Sequence, residues 1–508
     1  MNSADSKLKN CHFTLSHLII AVFLILSIVF IIYLGHYLSP RDLAATAAGI
    51  LFILLAAVLF IRFPHKVLMV LGAFLLIQDL LVRNLEASSP GMAQAVKHGD
   101  EALIVVFFFL TILRIASRQT PFNPSRLEIP LIGFIIVSLL GSALAGSPMG
   151  IAILQLFLYL KGFILLFIVM QLPVDQKVVL RYAKFFTGIG LIILLAGLAD
   201  LIDPVWFRTT FGAVAKGEMI IEKRYGILSV KSIFIHPGVF GWFTAFIALY
   251  SYAFYMTYNR TRYLWIGLLF SAGSFFSMRR RNLSGIAGAL MAALWLQPLA
   301  KKVRYGIIIG ASAIIFSILA WPKIEGLFLD LGTVYIAPDN PREEARNVLY
   351  MTSYTLLDEY FPWGAGLGRF GSWMSQIHYS PIYRKYGLSG TYGIEQKNPK
   401  YITDTFWPAI IGETGFMGLI FYLWICFRIT RMLYRRVKRT SASFEKAFFL
   451  GTLMVFIESL IESVAVATYT SPPTVYFIFG SLGLAFALGR FMNKAGLGQA
   501  PSSEQCLR

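Results

Sequence analysis

The sequence predicts an all-α protein, a polytopic integral membrane helical bundle of about 12–14 transmembrane helices with one large external loop that contains short helices. Two observations support this prediction. The chain of 508 residues is 57% hydrophobic and only 14% charged, and its mean hydropathy is +0.67. Apolar runs of roughly 17–25 residues, the length that crosses a bilayer as a helix, also recur along the chain. A water-soluble protein of this size could not cover its surface with so few charges.

Apolar runs and loops divide the chain into five regions. We expect a cytoplasmic tail over 1–14, a membrane domain over 15–321, an external loop over 322–404, the last part of the membrane domain over 405–491, and a cytoplasmic tail over 492–508. The first apolar run lacks a small-residue cleavage site, so it is predicted to be a span and not a signal peptide. The predicted spans lie near residues 15–34, 43–61, 67–83, 102–116, 128–146, 151–171, 182–202, 233–257, 263–277, 283–299, 305–321, 405–427, 446–468 and 473–491.

Charge predicts the orientation of these spans. The formal net charge is +19, and in so apolar a chain this excess indicates topology and not nucleic-acid binding. By alternation the basic loops fall on one side, which the positive-inside rule assigns to the cytoplasm together with both termini. These basic loops are 62–66, 114–126, 177–184, 260–262, 301–304 and 428–439.

Two loops on the opposite side are long, at about 203–232 and 322–404. The second is rich in Tyr, Trp, Gly and Pro, as in "DEYFPWGAGLGRFGSWMSQIHYSPIYRKYG". Disordered linkers are poor in aromatic residues, so this loop is predicted to be a folded segment. Aromatic rings beside polar groups suit the faces of sugars, but they are also typical of an interfacial aromatic belt.

The stretch "FFSMRRRNLSG" carries three adjacent arginines, Arg279, Arg280 and Arg281, between two short apolar runs. The alternation of spans puts this turn at or near the external face, opposite the side where such charges normally lie. Arginines persist there when they face a cavity or an anion, and the planar guanidinium suits a diphosphate. The alternative is a miscounted span, which would make the triplet an ordinary cytoplasmic anchor.

Other polar residues fall on the same predicted face. Arg224 lies in the first long loop, and His236 lies at the mouth of the next span, where a lone histidine is most often packed or capping. Arg346 lies in the large loop on a predicted amphipathic helix. The helical spacing after it is carried by Leu349, Tyr350, Tyr354 and Leu357.

Three charged residues lie inside apolar spans. Glu458 and Glu462, in "FIESLIESV", are one turn apart on one helix face. Intramembrane carboxylates are functional candidates by default, but these two could equally form a helix–helix hydrogen bond or pair with an arginine that holds the fold. Lys161, in "LYLKGFILLF", is more consistent with a snorkelling or paired lysine.

Motifs of soluble enzymes are absent from the sequence. It has no Walker A, GxSxG, HExxH or CxxC pattern, and Cys11, Cys426 and Cys506 show no paired spacing, so we expect no metal and no other cofactor. The stretch "GAGLGRFG" has glycines at a spacing like that of a nucleotide loop but lacks a preceding strand. These glycines are predicted to form a tight turn that lets the backbone approach another surface.

Four segments carry a recognisable pattern in a fixed order. They are "RYGILSVKSIFIHPGVFGWF", "SFFSMRRRNLSGIAGAL", "ARNVLYMTSYTLLDEYFPWGAGLGRF" and "DTFWPAIIGETGFMGLIFYL". They resemble, in turn, the "R…G…hPN" segment, the "SRg" segment, the external-loop pattern and the closing "N..l....EtG..Gl" segment of the O-antigen ligase and O-antigen polymerase superfamily. The resemblance is best from Arg224 to Leu423, whereas the earlier spans match only in hydrophobicity and number.

The resemblance implies a metal-independent glycosyltransferase of the bacterial inner membrane. Members of this superfamily take a glycan from undecaprenyl diphosphate at the external face, and need no nucleotide sugar. Polymerases join the glycan to another lipid-linked repeat unit of an O-antigen, capsule or exopolysaccharide, and ligases join it to lipid A core. The implied partners are the undecaprenyl-diphosphate-linked oligosaccharide, the lipid bilayer, and a chain-length regulator and a flippase of the same pathway, but no nucleic acid.

The resemblance also implies roles for individual residues. Arginines of the family are thought to hold the diphosphate and the glycan, and Arg281 is the first choice within the triplet. Asp404 and Arg346 are the implied catalytic residues, while Lys161, Glu413, Glu458 and Glu462 are supporting candidates. The implied binding residues are Arg224, Arg279, Arg280, Arg281, His236 and Tyr350.

The closing motif departs from the ligase pattern at Asp404, which replaces an "HN" about nine residues before Glu413. This favours a polymerase in which the carboxylate of Asp404 accepts the proton of the acceptor hydroxyl. Asp404 could also cap a helix that starts near Thr405, or do both. Glu413 is expected to be structural and paired with a membrane arginine.

Two alternative functions stay open. One is a ligase that transfers the glycan to lipid A core or to a protein. The other, from a different class, is a secondary transporter that uses Glu458 and Glu462 for proton coupling. Transporters usually show internal repeats and interrupted helices, and the sequence shows no convincing repeat.

Overall fold

The computed structural model of the chain describes residues 40–86, 88–211, 221–224, 226–307, 310, 341–441 and 443–494. The predicted span near 15–34, most of the one near 305–321 and nearly all of both tails lie outside them. The helices are α1 (Pro40–Arg62), α2 (Pro64–Glu86), α3 (Pro90–Ala116), α4 (Glu128–Leu144), α5 (Met149–Gln171), α6 (Gln176–Ile202), α7 (Pro204–Phe211), α8 (Pro237–Tyr258), α9 (Thr261–Phe276), α10 (Arg280–Trp295), α11 (Pro341–Glu359), α12 (Trp373–Ile377), α13 (Pro381–Lys385), α14 (Trp407–Arg439), α15 (Phe444–Glu462) and α16 (Thr474–Lys494).

The predicted all-α class is confirmed for the described residues. Their strands are two residues long each, β1 (Lys223–Arg224) and β2 (Ile227–Leu228), paired antiparallel. Six helices within the described part of the chain are long and apolar enough to cross a membrane, namely α2, α5, α6, α8, α14 and α16. Proline has no backbone N–H to leave unsatisfied and a φ that suits a first helical turn, so it begins a helix readily. Prolines start α1, α2, α3, α7, α8, α11 and α13.

The chain forms two compact units, and each is described by itself. The first comprises residues 1–123, 163–220 and 231–236. In it α1, α2 and α3 pack against one another, and α2 also contacts α6. This unit also contains a fully buried ion pair, in which Arg208 Nε donates to Asp200 Oδ1 at 2.7 Å. The other carboxylate oxygen, Asp200 Oδ2, accepts from the backbone amides of Lys231 and Ser232 at 2.8 and 3.1 Å.

The second unit comprises residues 124–162, 221–230 and 237–508. Its centre is α8, which packs against α9, α10 and α15 and buries most of its side chains. Helix α15 lies beside α10, α14 and α16, and α4 packs along α14. Helices such as α8 that are apolar on all sides are typical of the interior of a large bundle.

The segment predicted as the large external loop is folded, as described from residue 341 onwards. Helix α11, the short helices α12 and α13 and the turns around them enclose their own apolar core, so the prediction of short helices in this segment is confirmed. The buried stripe of α11 differs from the predicted one, because Tyr354 is exposed and Ser353 is buried in its place. The core includes Ala345, Leu349, Leu356, Phe370, Tyr383, Ile394 and Ile402.

The glycine-rich turn, residues 364–371, packs against a kink in α14. Gly415 has φ +63°, which breaks the helix and leaves nearby carbonyl groups without helical partners. The amides of Ala365 and Gly366 donate to the carbonyls of Gly412 and Glu413 at 2.8 and 3.0 Å. A Cβ at Gly364, whose φ is +82°, would lie 2.4 Å from the Gly415 nitrogen. The predicted tight turn with close backbone approach is therefore confirmed.

Candidate functional site

The arginine triplet forms the turn from α9 into α10. Met278 has φ +53°, a left-handed conformation that an L-residue adopts only at a cost. Arg279 is the residue before the first helical turn, and Arg280 and Arg281 occupy that turn. The N-terminus of a helix already carries a partial positive charge, so three guanidinium groups there concentrate positive charge and favour an anion.

A glutamate bridges the first arginine of the triplet to Arg224. Arg279 Nη2 donates to both oxygens of Glu222 at 3.1 and 3.0 Å, and Arg224 Nε donates to Glu222 Oε1 at 3.0 Å. The side chain of Arg279 is 7% exposed and that of Arg224 is 36% exposed. The hairpin that carries Arg224 is held against the turn because Ser229 Oγ donates to the Ser277 carbonyl at 2.9 Å.

Arg281 faces a carboxylate on α15. Its Nε lies 3.2 Å from Glu462 Oε1, and both side chains are largely buried. The two helices approach closely at Gly285, where a Cβ would lie 2.8 Å from Glu458 Cγ. For Glu462, an arginine partner is the one of the alternatives that the structure shows.

Arg346, on α11, reaches Asp404 and the chain that follows α15. Its Nη2 lies 3.4 Å from Asp404 Oδ2 and 3.0 Å from the Ala465 carbonyl. One turn further along, Tyr350 Oη donates to the Val464 carbonyl at 2.8 Å. Burial raises the pKa of Tyr350 to about 12, so this hydroxyl stays a donor at neutral pH.

The prediction that Asp404 caps α14 is wrong. The helix begins at Trp407 with Phe406 in the cap position, two residues later than a cap at Asp404 requires. Asp404 instead lies in a turn, where its amide donates to the Tyr401 carbonyl at 3.1 Å and its carboxylate faces Arg346.

The four residues Glu462–Ala465 join these contacts into one site. Arg281 binds the first of them and Arg346 the last, so the two contacts are separated by three residues, at most roughly 10 Å of chain. Between them, the Ser463 carbonyl accepts from the Phe406 amide at 3.3 Å. We call the whole the arginine site: Arg224, Arg279, Arg280, Arg281 and Arg346 with Glu222, Tyr350, Asp404, Glu458 and Glu462.

Several polar atoms at the arginine site are buried and lack a hydrogen-bond partner within the described part of the chain. Two belong to the first turn of α10, and the other two belong to residues close to Asp404 and Glu462, the carboxylates that face Arg346 and Arg281. Buried polar atoms are nearly always bonded to protein or water, so these atoms indicate space for water or for a polar ligand. The atoms are Arg280 Nη1, Asn282 Oδ1, Thr405 Oγ1 and Glu458 Oε1.

Two predicted residues, Lys161 and His236, have other surroundings. Lys161 is buried in α5, and its ammonium lies 5.7 Å from the centroid of the Tyr476 ring. His236 is half-buried and ends the first unit, so it is not counted in the arginine site.

Glu413 has a structural environment, although no described guanidinium pairs with it as the sequence led us to expect. It accepts from Ser372 Oγ at 2.5 Å, from Tyr159 Oη at 2.8 Å and from the Phe370 amide at 3.0 Å. These hydroxyl and amide donors let the buried carboxylate fasten the glycine-rich turn to α14.

Glu222 is the site residue that sequence reasoning missed. Glu222 is an acidic residue two positions before Arg224. That closeness was the signal in the sequence for an ion pair. The carbonyls of Val464 and Ala465 gave no signal, because every residue carries a carbonyl group.

No protein-family model matches the chain. No curated protein is significantly similar to it in sequence.

Proposed function

We propose that this protein is a membrane glycosyltransferase that polymerises undecaprenyl-diphosphate-linked repeat units into a surface polysaccharide. The observation that carries the proposal is the arginine site, which gathers five arginines and an aspartate and contains buried polar atoms such as Arg280 Nη1 without partners among the described residues. A diphosphate provides several anionic oxygens for such a site, and guanidinium groups bind them with paired hydrogen bonds.

The proposed setting is the bacterial inner membrane with both termini in the cytoplasm. Six long apolar helices support a multi-pass protein. In the orientation that the basic loops predict, the arginine site opens at the external face, where lipid-linked repeat units are polymerised. The folded segment that begins with α11 and ends before α14 then lies outside the bilayer. Its exposed tyrosines Tyr354 and Tyr392 are available to sugar rings.

The proposed reaction is a displacement at the anomeric carbon of the lipid-linked glycan. A hydroxyl oxygen of the acceptor sugar bonds to that carbon, the bond to the diphosphate oxygen breaks, and the electron pair leaves with the diphosphate. Arginines 279–281 stabilise the negative charge that develops there. Asp404 accepts the hydroxyl proton.

Arg346 keeps this carboxylate in place, because the same guanidinium contacts Asp404 and the Ala465 carbonyl. The adjacent buried Oγ of Thr405 has no described partner and is available to the acceptor.

The deciding experiment removes the protein from its cell and sizes the surface polysaccharide. We expect long chains to disappear while single repeat units persist on their acceptor. Loss of every glycan from the acceptor, single units included, would indicate a ligase. Unchanged chain length with altered uptake of a small solute would indicate a transporter.

A further inference from the structure

Arg436 lies near the end of α14, in the second unit, and its side chain contacts α15 and α16. Its Nη1 donates to the Ala485 carbonyl, and its Nη2 lies 3.4 Å from the Phe486 carbonyl. The guanidinium also lies 5.4 and 5.3 Å from the ring centroids of Phe449 and Phe486. A Cβ at Gly489 would meet this guanidinium, so the glycine makes the notch that receives it.

Two other arginines lie in the neighbourhood of Arg436. Arg126 and Arg490 both lie near enough to repel it electrostatically. Arg126 is tied to α14 because Arg428 Nη2 donates to its carbonyl at 2.8 Å, and its φ of +66° is a left-handed conformation. Bringing like charges together in a partly buried place is costly unless an anion joins them.

Carboxylates do not supply that anion to Arg126 or Arg436 within the described residues, where neither forms an ion pair. The acidic residue nearest to Arg126 in sequence, Glu128, instead accepts from the amide and the hydroxyl of Ser125. The three arginines Arg126, Arg428 and Arg436 therefore form a cationic cluster beside the notch at Gly489. We call this cluster the cytoplasmic recess.

We propose that the cytoplasmic recess binds the phosphate of an anionic phospholipid headgroup from the inner leaflet. Basic recesses between helices at the cytoplasmic side suit lipid phosphate. The recess lies at the end of α14 opposite the arginine site, and the proposal goes beyond glycan transfer. It depends on insertion of the chain in a membrane and not on the reaction. Free phosphate has the same binding chemistry, and the experiment distinguishes the two sources.

Neighbouring cations give matched controls. Arg435 and Lys438 lie on the same turns of α14 as Arg436 but are exposed to solvent. Such side chains serve as general positive-inside charges, which interact weakly with any anionic surface.

The experiment uses the purified full-length protein in detergent, with phosphatidylglycerol or phosphatidylcholine added in mixed micelles. Native mass spectrometry counts bound lipids, and the unfolding temperature is followed in parallel. We expect wild type and Arg435→Gln to bind phosphatidylglycerol and to unfold at a higher temperature with it. Arg436→Gln and Arg126→Gln should bind it at least about tenfold more weakly, since each loses a charge-assisted contact.

Arg126→Gln keeps the test decisive if Arg436→Gln fails to fold, because Arg126 is exposed and its described contact with α14 is made by its backbone carbonyl, which glutamine keeps. Equal binding of phosphatidylglycerol by wild type, Arg126→Gln and any folded Arg436→Gln would overturn the proposal. A shift produced by inorganic phosphate alone, with none from phosphatidylglycerol, would also overturn it and identify free phosphate as the ligand.

Discussion

Arg281 and Glu462 form an ion pair whose side chains are only 14% and 3% exposed. Removing one partner of a buried pair leaves an uncompensated charge and typically costs about 3–5 kcal/mol of stability. Replacing both partners by apolar residues of similar volume is often neutral. Loss of activity in a single variant therefore cannot separate folding from binding at this position.

A paired substitution separates the two effects at Arg281. We expect Arg281→Ala to lower the unfolding temperature and abolish long polymer, whereas Arg281→Met with Glu462→Met restores the unfolding temperature but not the polymer. The lost charge stabilisation corresponds to a rate lower by about 10²–10³. Polymer length and thermal unfolding are measured on matched expression levels. Normal polymer in the folded double variant would refute a diphosphate role for Arg281.

Asp404 offers a test of the proposed base. Asp404→Asn keeps the shape of the side chain but removes its basicity, so transfer should slow by about 10²–10⁴. The unfolding temperature should stay close to that of wild type, since Arg346 keeps its bond to the Ala465 carbonyl. Rates are measured with a lipid-linked repeat unit in detergent, and Thr391→Ala in the same folded segment is the control. A wild-type rate in Asp404→Asn would exclude the base role.

The arginines of the site could be predicted from sequence, but their arrangement could not. A charge in or beside an apolar run is conspicuous, because burying it is costly. The pairing of Arg279 with Glu222 joins residues 57 positions apart, and the contact of Arg346 with the Ala465 carbonyl spans 119 positions. Such contacts depend on how α10, α11 and α15 pack.

At the scale of elements, apolar length was sufficient to locate the long apolar helices of the described residues but not to predict where they begin and end. Helix α3 begins at Pro90 although its predicted span begins near 102, and α14 continues to Arg439 although its predicted span ends near 427. The extra turns are polar, so hydropathy does not detect them. Proline at the start of α3 and the absence of glycine or proline between 419 and 439 of α14 were the signals for longer helices.

The glycine-rich turn gives a graded prediction for the contact with α14. Gly364→Ala should destabilise the protein by about 2–4 kcal/mol, because φ is +82° and the added Cβ would meet the backbone of α14. Gly387→Ala has the same kind of φ, +72°, but open space, and should cost about 1–2 kcal/mol. Gly390→Ala has neither problem and should stay within about 0.5 kcal/mol of wild type.

Thermal unfolding of the three purified variants, with limited proteolysis of the segment before α14, checks this order. Equal stability of Gly364→Ala and Gly390→Ala would mean that the turn does not dock on α14 as described.

At the scale of the whole molecule, α14 connects the two faces that the charge pattern predicts. Its 33 residues span about 50 Å, more than the roughly 30 Å of a hydrocarbon core, even with the kink at Gly415. The folded segment that contains the ion pair between Arg346 and Asp404 precedes α14 in the sequence. Helix α14 ends in a basic run whose last residue is Arg439.

The orientation can be tested at two exposed lysines near opposite ends of α14, Lys397 before its start and Lys438 in its last turn. In a variant with the native cysteines replaced by serine, Lys397→Cys should react with a membrane-impermeant maleimide in intact spheroplasts. Lys438→Cys should react only after permeabilisation, because positively charged ends of spans stay in the cytoplasm. The opposite labelling pattern would put the arginine site on the cytoplasmic side. Glycan transfer at the external face would then be excluded, whatever the arginines bind.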